Sequence, residues 1–211
     1  MSDDFPIETR FTLEGRIGRG GSGDVFRAVD RETGATVAVK RLAPVHTDPL
    51  LVDRFRREAR LLAQIDDPHV VRYVAHGLDA SGRPSVVVEW LDGEDVSRRQ
   101  KRQRLSIAEV LDVARQTALG LHALHRAGIV HRDVKPANLF LVPREDGTLH
   151  LKLIDLGIAR AASEITLTTM GNMVGTPFYM APEQARGEER VTSRADVFAL
   201  GVILYEMLTE V

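Results

Sequence analysis

The stretch His131-Arg132-Asp133-Val134-Lys135-Pro136-Ala137-Asn138 constrains this chain more than any other. It crowds charged and polar side chains and a proline between two apolar runs, Gly128-Ile129-Val130 and Leu139-Phe140-Leu141-Val142. A polar loop held between two buried segments is where a fold presents chemistry on a rigid frame. Asp133 can accept a proton, Lys135 can meet an anion, and Asn138 can offer an oxygen to a hard cation. Past a second apolar strand, Leu149 to Ile154, comes Asp155-Leu156-Gly157. Asn138 and Asp155 together read as oxygen ligands for Mg²⁺, which favours one or two carboxylates plus substrate phosphates. The bland alternative is a polar turn followed by an unrelated Asp-Gly turn.

The residues upstream weigh against that alternative. A first strand reads from Arg10 to Ile17, followed by Gly18-Arg19-Gly20-Gly21-Ser22-Gly23-Asp24-Val25. Glycines let a backbone approach a ligand without Cβ interference. A dinucleotide fold would need a helix straight after them, but Val25-Phe26-Arg27-Ala28-Val29 is a strand pattern. A Walker loop would need Gly-Lys-Ser/Thr, and Gly23 is followed by Asp24. Strand, glycines, strand fits a hairpin lid over a nucleotide; alone, it would read as a glycine-rich turn. In Thr36-Val37-Ala38-Val39-Lys40, alternation puts Val37 and Val39 on one face and Ala38 and Lys40 on the other. Asp48-Pro49 opens a helix with the stripe Leu51, Phe55, Leu62 and Ile65. Glu58 falls in that stripe, and a buried carboxylate needs a cation, for which Lys40 is the candidate.

The sequence HRDVKPAN followed by DLG resembles the catalytic loop and metal-binding signature of protein kinases. The resemblance implies an α+β, two-lobed fold: a polar tail over 1–9, a small antiparallel-sheet lobe over 10–91 and a mostly helical, incomplete lobe over 92–211. It implies that Asp133 orients and deprotonates a hydroxyl, that Lys135 stabilises the transferring phosphoryl, and that Asn138 and Asp155 hold Mg²⁺. Lys40, fixed by Glu58, grips the ATP phosphates under the loop of Gly18, Gly20 and Gly23. Ile17, Val25, Ala38 and Phe140 would line the base, Glu89 and Leu91 would hydrogen-bond its edge through their backbones, and Asp95 would reach the ribose. Val88 would guard the back pocket.

Further along, Arg98 to Arg104 is a basic run, able to meet an acidic substrate or phospholipid but more simply a solvated helix face. Ser106-x-x-Glu109 is a capping box, and Ile107, Val110, Leu111, Ala114, Ala118, Leu121 and Leu124 space a helix out to Gly128. His122 and His125 on it read as solvent or core residues. Residues 158–174 read as a loop bearing Thr166, Thr168 and Thr169. The resemblance makes these phosphorylation candidates facing Arg132, places Thr176 against the catalytic Asp133, and has Asp196 hold the backbone of His131 and Arg132. Val197 to Leu208 is apolar on nearly every face and reads as a buried helix. The family's last quarter is expected to be missing after Val211, leaving part of that helix bare.

Composition narrows the rest. The 211 residues contain no cysteine, which excludes disulfides, thiol catalysis and thiolate zinc sites. The net charge of -2 gives no field toward nucleic acid. The acidic start Met1-Ser2-Asp3-Asp4, with no apolar stretch after it, does not read as a signal peptide, Ser2 in place of Gly argues against myristoylation, and no membrane segment is expected. The wording HRDVKPANLF, the absence of cysteine and the short linkers resemble the bacterial eukaryotic-like Ser/Thr kinases. The resemblance implies a cytoplasmic enzyme that uses ATP and Mg²⁺ on Ser and Thr hydroxyls of proteins, with a dimer serving autophosphorylation. The alternatives are a truncated, inactive nucleotide-binding fragment and, more weakly, an interaction scaffold.

Overall fold

In this computed structural model the described residues are 6–20, 23–42, 49–156, 177–188 and 190–209. They fall into two compact units. The first takes the residues up to Gln64 and then Arg72–Trp90; the second takes Ile65–Val71 and the described residues from Leu91 onward.

The first unit opens with a short helix, α1 (Ile7–Arg10), and continues through β1 (Phe11–Gly20), β2 (Gly23–Asp30), β3 (Thr36–Leu42), α2 (Pro49–Leu62), β4 (Tyr73–Leu78) and β5 (Pro84–Glu89). The strands form one antiparallel sheet in the order β1-β2-β3-β5-β4. In β3 the β-branched residues Val37 and Val39 are buried, and the intervening Ala38 and Lys40 are half-buried on the other face. Ile7, Phe11, Ala28, Val37, Val39, Ala75 and Val87 form one core cluster. Each large member stabilises the unit by roughly 1.5–3 kcal/mol relative to exposure. Helix α2 packs on β4 and β5 and buries Val52, Phe55, Ala59 and Leu62. Register shifts in β1, between Leu13 and Gly15 and between Arg16 and Gly18, mark the stretch just before the glycines.

The polar tail expected over 1–9 stops earlier than the sequence suggests. Pro6 bridges to Leu78, and Glu8 forms an ion pair with Arg41. Ile7 is fully buried. One isoleucine in a polar run carries no periodicity, so its role as a plug beside Phe11 shows only in three dimensions. Residues 1–5 lie outside the described residues.

The second unit holds β6 (Glu94–Asp95), α3 (Val96–Arg102), α4 (Ile107–Arg126), β7 (Leu139–Pro143), β8 (Leu149–Leu153), a short helix Pro182–Ala185 and the helix Arg194–Thr209. Strands β6, β7 and β8 make a small antiparallel sheet. Helix α4 carries the expected capping box, Ser106 with Glu109, and packs on β8 and on Arg194–Thr209. Its buried face differs from the apolar stripe in the sequence. Ile107 (70%) and Leu111 (56%) are exposed, as is Ala118, while Val113, Gln116, Thr117 and Gly120 are inside. The reason is polar. The Gln116 side chain donates to Leu149 O (2.9 Å) and accepts from Leu151 N (2.8 Å), tying α4 to the edge of β8. Arg194–Thr209 is likewise half-buried: Ala195, Asp196, Ala199, Ile203 and Met207 face inward, and Val197, Phe198, Tyr205 and Leu208 are exposed.

Two segments cross the lobe boundary expected at residue 91. Leu91 groups with the second unit, and so do Ile65–Val71. Val70 pairs in parallel with Leu153, Leu153 N donates to His69 O (2.8 Å), and Val71 N donates to Leu153 O (3.0 Å). Gly120 makes room for them: a Cβ there would lie 2.7 Å from His69 O and 2.9 Å from Leu153 Cδ1. No described helix is long and apolar enough to cross a membrane.

Candidate active site

The loop carrying Asp133 is fixed from its backbone outward. Helix α4 ends at Arg126 with Ala127 as its C-cap, and Gly128 follows at φ 76. Arg132 sits at φ 61, a left-handed conformation that costs a non-glycine residue of order 1–3 kcal/mol. The surroundings over-determine it. Asp196, 1% exposed, accepts from Arg132 N (2.8 Å), His131 N (2.8 Å) and His125 Nε2 (2.7 Å). On the other side of the residue, Gln184 Nε2 donates to Arg132 O (2.9 Å). His131 is fully buried and bonds Ile154 O through Nε2 (3.1 Å). Its Nδ1 makes no hydrogen bond among the described residues.

Past this anchor the side chains converge. Asp133 Oδ2 accepts from Lys135 Nζ at 2.7 Å and from Asn138 Nδ2 at 3.1 Å. Asn138 Nδ2 also donates to Asp133 O at 2.7 Å. A single 3-10 turn, Pro136–Asn138, gives Asn138 this reach, with proline starting the turn. The Asn138 amide nitrogen is therefore committed to Asp133, which leaves its carbonyl oxygen as the atom to meet a cation. Ile154 N donates to Asn138 O (3.0 Å), so Asp155 leaves β8 one residue beyond a direct tie to Asn138. Asp155 has φ 58, a region that aspartate tolerates better than most residues. A carboxamide oxygen and a carboxylate suit a hard divalent ion. No group of three or more His, Cys, Asp or Glu among the described residues could hold one alone. Such an ion here would draw its other oxygens from phosphate and water.

Two expected nucleotide contacts of this unit lie on β6 and β7. Asp95 caps α3: its Oδ1 accepts from Arg98 N (2.9 Å) and its Oδ2 lies 3.2 Å from Arg98 Nε. Phe140 is half-buried opposite Asp95 in the sheet register.

The first unit carries the remaining nucleotide candidates. Ile17 is 51% exposed on β1. Gly18 pairs with Val25 and Gly20 with Gly23 across the hairpin. Val25 lies opposite Lys40, and Ala38 opposite Val88. Gly23 sits at φ +136, and a Cβ on it would lie 1.9 Å from Arg41 O. Glu89 N donates to Arg72 O (2.9 Å), and the Glu89 carboxylate takes Arg72 N (2.8 Å). Glu58 is half-buried on α2. Thr166, Thr168, Thr169 and Thr176 lie outside the described residues.

Two supports of the loop carry no mark in the sequence. His125, which reads as a core or solvent histidine, shares the Asp196 carboxylate. Gln184 bonds Arg132 O and Ala181 N, and no periodicity marks it. Tyr179 donates to Glu206 (2.6 Å), and burial, then that carboxylate, pushes its phenol far up.

A family profile described as "Protein kinase domain" matches residues 11–211. Serine/threonine-protein kinase PknA of Mycobacterium tuberculosis is 39% identical over 209 residues, covering 96% of this chain and 47% of the relative. Serine/threonine-protein kinase Pkn1 of Myxococcus xanthus is 43% identical over 202 residues, covering 94% of this chain and 29% of the relative. The chain thus spans less than half the length of these curated relatives. Among solved structures, the Mycobacterium tuberculosis PknI kinase domain superimposes with a TM-score of 0.75 at 27% identity, over 93% of this chain and 73% of that one. Rad53 residues 1–466 in complex with AMP-PNP gives 0.78 at 26% identity, over 99% and 51%. With the loop geometry these matches leave one assignment: the chain belongs to the protein kinase family, among its bacterial eukaryotic-like Ser/Thr members.

Proposed function

We propose that this chain transfers the γ-phosphoryl group of ATP to Ser or Thr hydroxyls of proteins, with Mg²⁺ as the divalent ion. The observation that carries this is the Asp133 carboxylate, bonded by Lys135 Nζ and Asn138 Nδ2 on a loop whose backbone Asp196 fixes. Asp133 orients the attacking hydroxyl and accepts its proton. Lys135, 2.7 Å away, carries the positive charge that offsets the transferring phosphoryl. Asn138 and Asp155 would hold the divalent ion, which when bound supplies charge against the phosphates. Lys40, steadied by Glu58, meets the ATP phosphates beneath Gly18, Gly20 and Gly23. Ile17, Val25, Ala38 and Phe140 flank the base, with Glu89 and Leu91 at its edge. Asp95 serves the ribose only after yielding its contacts to Arg98. Most of the catalytic effect is positioning and charge stabilisation.

The family membership supports this reading, as does the fold shared with Rad53, which was solved with AMP-PNP. Thr166, Thr168 and Thr169 are the proposed autophosphorylation sites, with Arg132 as the partner of the phosphate and Thr176 beside Asp133. A dimer would bring one copy's threonines to the other's loop, and the cytoplasm is the proposed setting.

Asp133→Asn is the direct test. Phosphoryl transfer to protein is expected to fall by about 10²–10⁴-fold, the usual contribution of a positioned proton acceptor, with nucleotide binding retained. Transfer that persists unchanged removes Asp133 from this role.

A further inference from the structure

The Gln184 side chain joins two stretches of the second unit. It is half-buried in the short helix Pro182–Ala185. Its Nε2 donates to Arg132 O at 2.9 Å, and its Oε1 accepts from Ala181 N at 3.2 Å. A backbone carbonyl can only accept, and a backbone N–H can only donate. A side chain between them must do both, which a carboxamide does and a carboxylate cannot. Both ends of this bridge are anchored. Ala181 is 1% exposed, and Tyr179 just before it bonds Glu206 on the helix Arg194–Thr209 at 2.6 Å. At the other end, Asp196 takes the N–H groups of His131 and Arg132, which fixes the peptide planes entering those two residues. The next plane carries Arg132 O and the Asp133 N–H together, and Gln184 bonds that plane. Its tilt sets the direction in which the Asp133 side chain leaves the backbone.

We propose that Gln184 is a positioning residue for phosphoryl transfer: by holding the peptide plane between Arg132 and Asp133, it aims the Asp133 carboxylate at the acceptor hydroxyl. The proposal rests on the reading of Asp133 as the group that meets that hydroxyl. Lys135 and Asn138 also bond Asp133, but they belong to the same loop and move with it. Gln184 instead refers the loop to a separate segment, the one that carries Tyr179 and Ala181. Transfer depends steeply on such alignment, and a misplacement of about 1 Å costs on the order of 10²-fold. Glutamate at this position separates aiming from capping. Its carboxylate still accepts from Ala181 N, as the third residue of a capping box does, but it sets a negative oxygen against Arg132 O. Protonated, the same side chain donates to Arg132 O and restores the bridge.

The test sets Gln184→Glu beside Gln184→Ala. Transfer from Mg²⁺-ATP to a mixed Ser/Thr peptide library is read in single turnover, so that product release does not mask the step. At about pH 8, where a carboxyl is ionised, both variants are expected to transfer about ten- to a hundredfold slower than wild type. ATP affinity and the urea unfolding of Gln184→Glu stay as in wild type. As pH falls through the titration of the introduced carboxyl, Gln184→Glu recovers relative to wild type, while Gln184→Ala does not. Wild-type transfer in both variants overturns the proposal. So does a Gln184→Glu deficit that acid leaves in place, or a loss carried wholly by ATP affinity. The NMR shift of the Arg132 carbonyl carbon tests the bridge without catalysis. In Gln184→Glu it is expected to be displaced at high pH and to return toward the wild-type position over the same titration. A wild-type chain that transfers nothing counts against the reading of Asp133. A carbonyl shift that follows the carboxyl then supports the Gln184 bridge, and one indifferent to it overturns that assignment.

Discussion

The β1–β2 hairpin, proposed to cover the ATP phosphates, and the loop from Gly128 to Asn138, proposed to meet the acceptor hydroxyl, are shaped by opposite means. The hairpin gets its path by omitting side chains: its glycines and two register shifts in β1 free the backbone, and Gly23 occupies a conformation a Cβ would strain. The loop gets its path by adding them. Arg132 is held left-handed by Asp196 and Gln184, and Asp133 by Lys135 and Asn138. Asp196 is a buried charged group, tolerated here because three donors bond it. A cover needs freedom of backbone, whereas a proton acceptor needs its atoms held within fractions of an ångström. The two regions should therefore fail differently under mutation.

The largest effect is expected where the loop's polar scaffold is removed. Asp196→Ala strands the N–H groups of His131 and Arg132 and the His125 ring together. Breaking a buried charged anchor costs about 3–5 kcal/mol, so urea unfolding should report a second unit close to collapse and transfer should vanish. A loss under 1 kcal/mol would mean that the loop holds its shape without Asp196.

In the hairpin, Gly23→Ala drives a Cβ toward Arg41 O at a positive φ. A strain of about 1–3 kcal/mol is expected, and it should fall on the first unit. ATP affinity drops while hydrogen-exchange protection of α4 stays as it was. A hairpin that accepts alanine with unchanged ATP affinity would show that its shape does not depend on the glycine.

A smaller effect is expected from acid. Arg10 holds the Asp30 carboxyl down to about 2, from 3.8. A carboxylate depressed in the folded state stabilises it above the unfolded value, and that contribution is lost as pH falls from about 4 through 2. The stabilisation is about 2 kcal/mol. Arg10→Gln should weaken this part of the acid transition in the first unit, leaving what the Glu32 backbone and the Thr33 side chain contribute. If wild type and variant lose stability in parallel between pH 4 and 2, the pair does not contribute it.

What the sequence made legible follows from chemistry that is local. The alternation of Val37 and Val39, the Ser106–Glu109 capping box and the crowded stretch from His131 to Asn138 each announce themselves within a few residues. What stayed hidden depends on partners far along the chain. Helix α4 has apolar residues around most of its circumference, so pattern alone favoured Ile107 and Leu111. Gln116, bonded to β8, decides the face instead. His125 looked ordinary because its partner, Asp196, lies far downstream. Ile7 and the segment Ile65–Val71 are too short to carry a period at all.

That last segment bears on how the chain reaches its fold. Ile65–Val71 are synthesised amid first-unit sequence, but their hydrogen-bonding partner, Leu153, arrives much later. Pairings between residues so distant in sequence close slowly, because the loop entropy must be paid before the contact forms. During synthesis the backbone groups of His69 and Val71 must wait on the ribosome for β8. Cutting the gene at residue 91 would give the downstream piece no copy of them. The second unit is thus discontinuous along the message, and a refolding experiment should find the Val70–Leu153 bridge among its last native pairings to form.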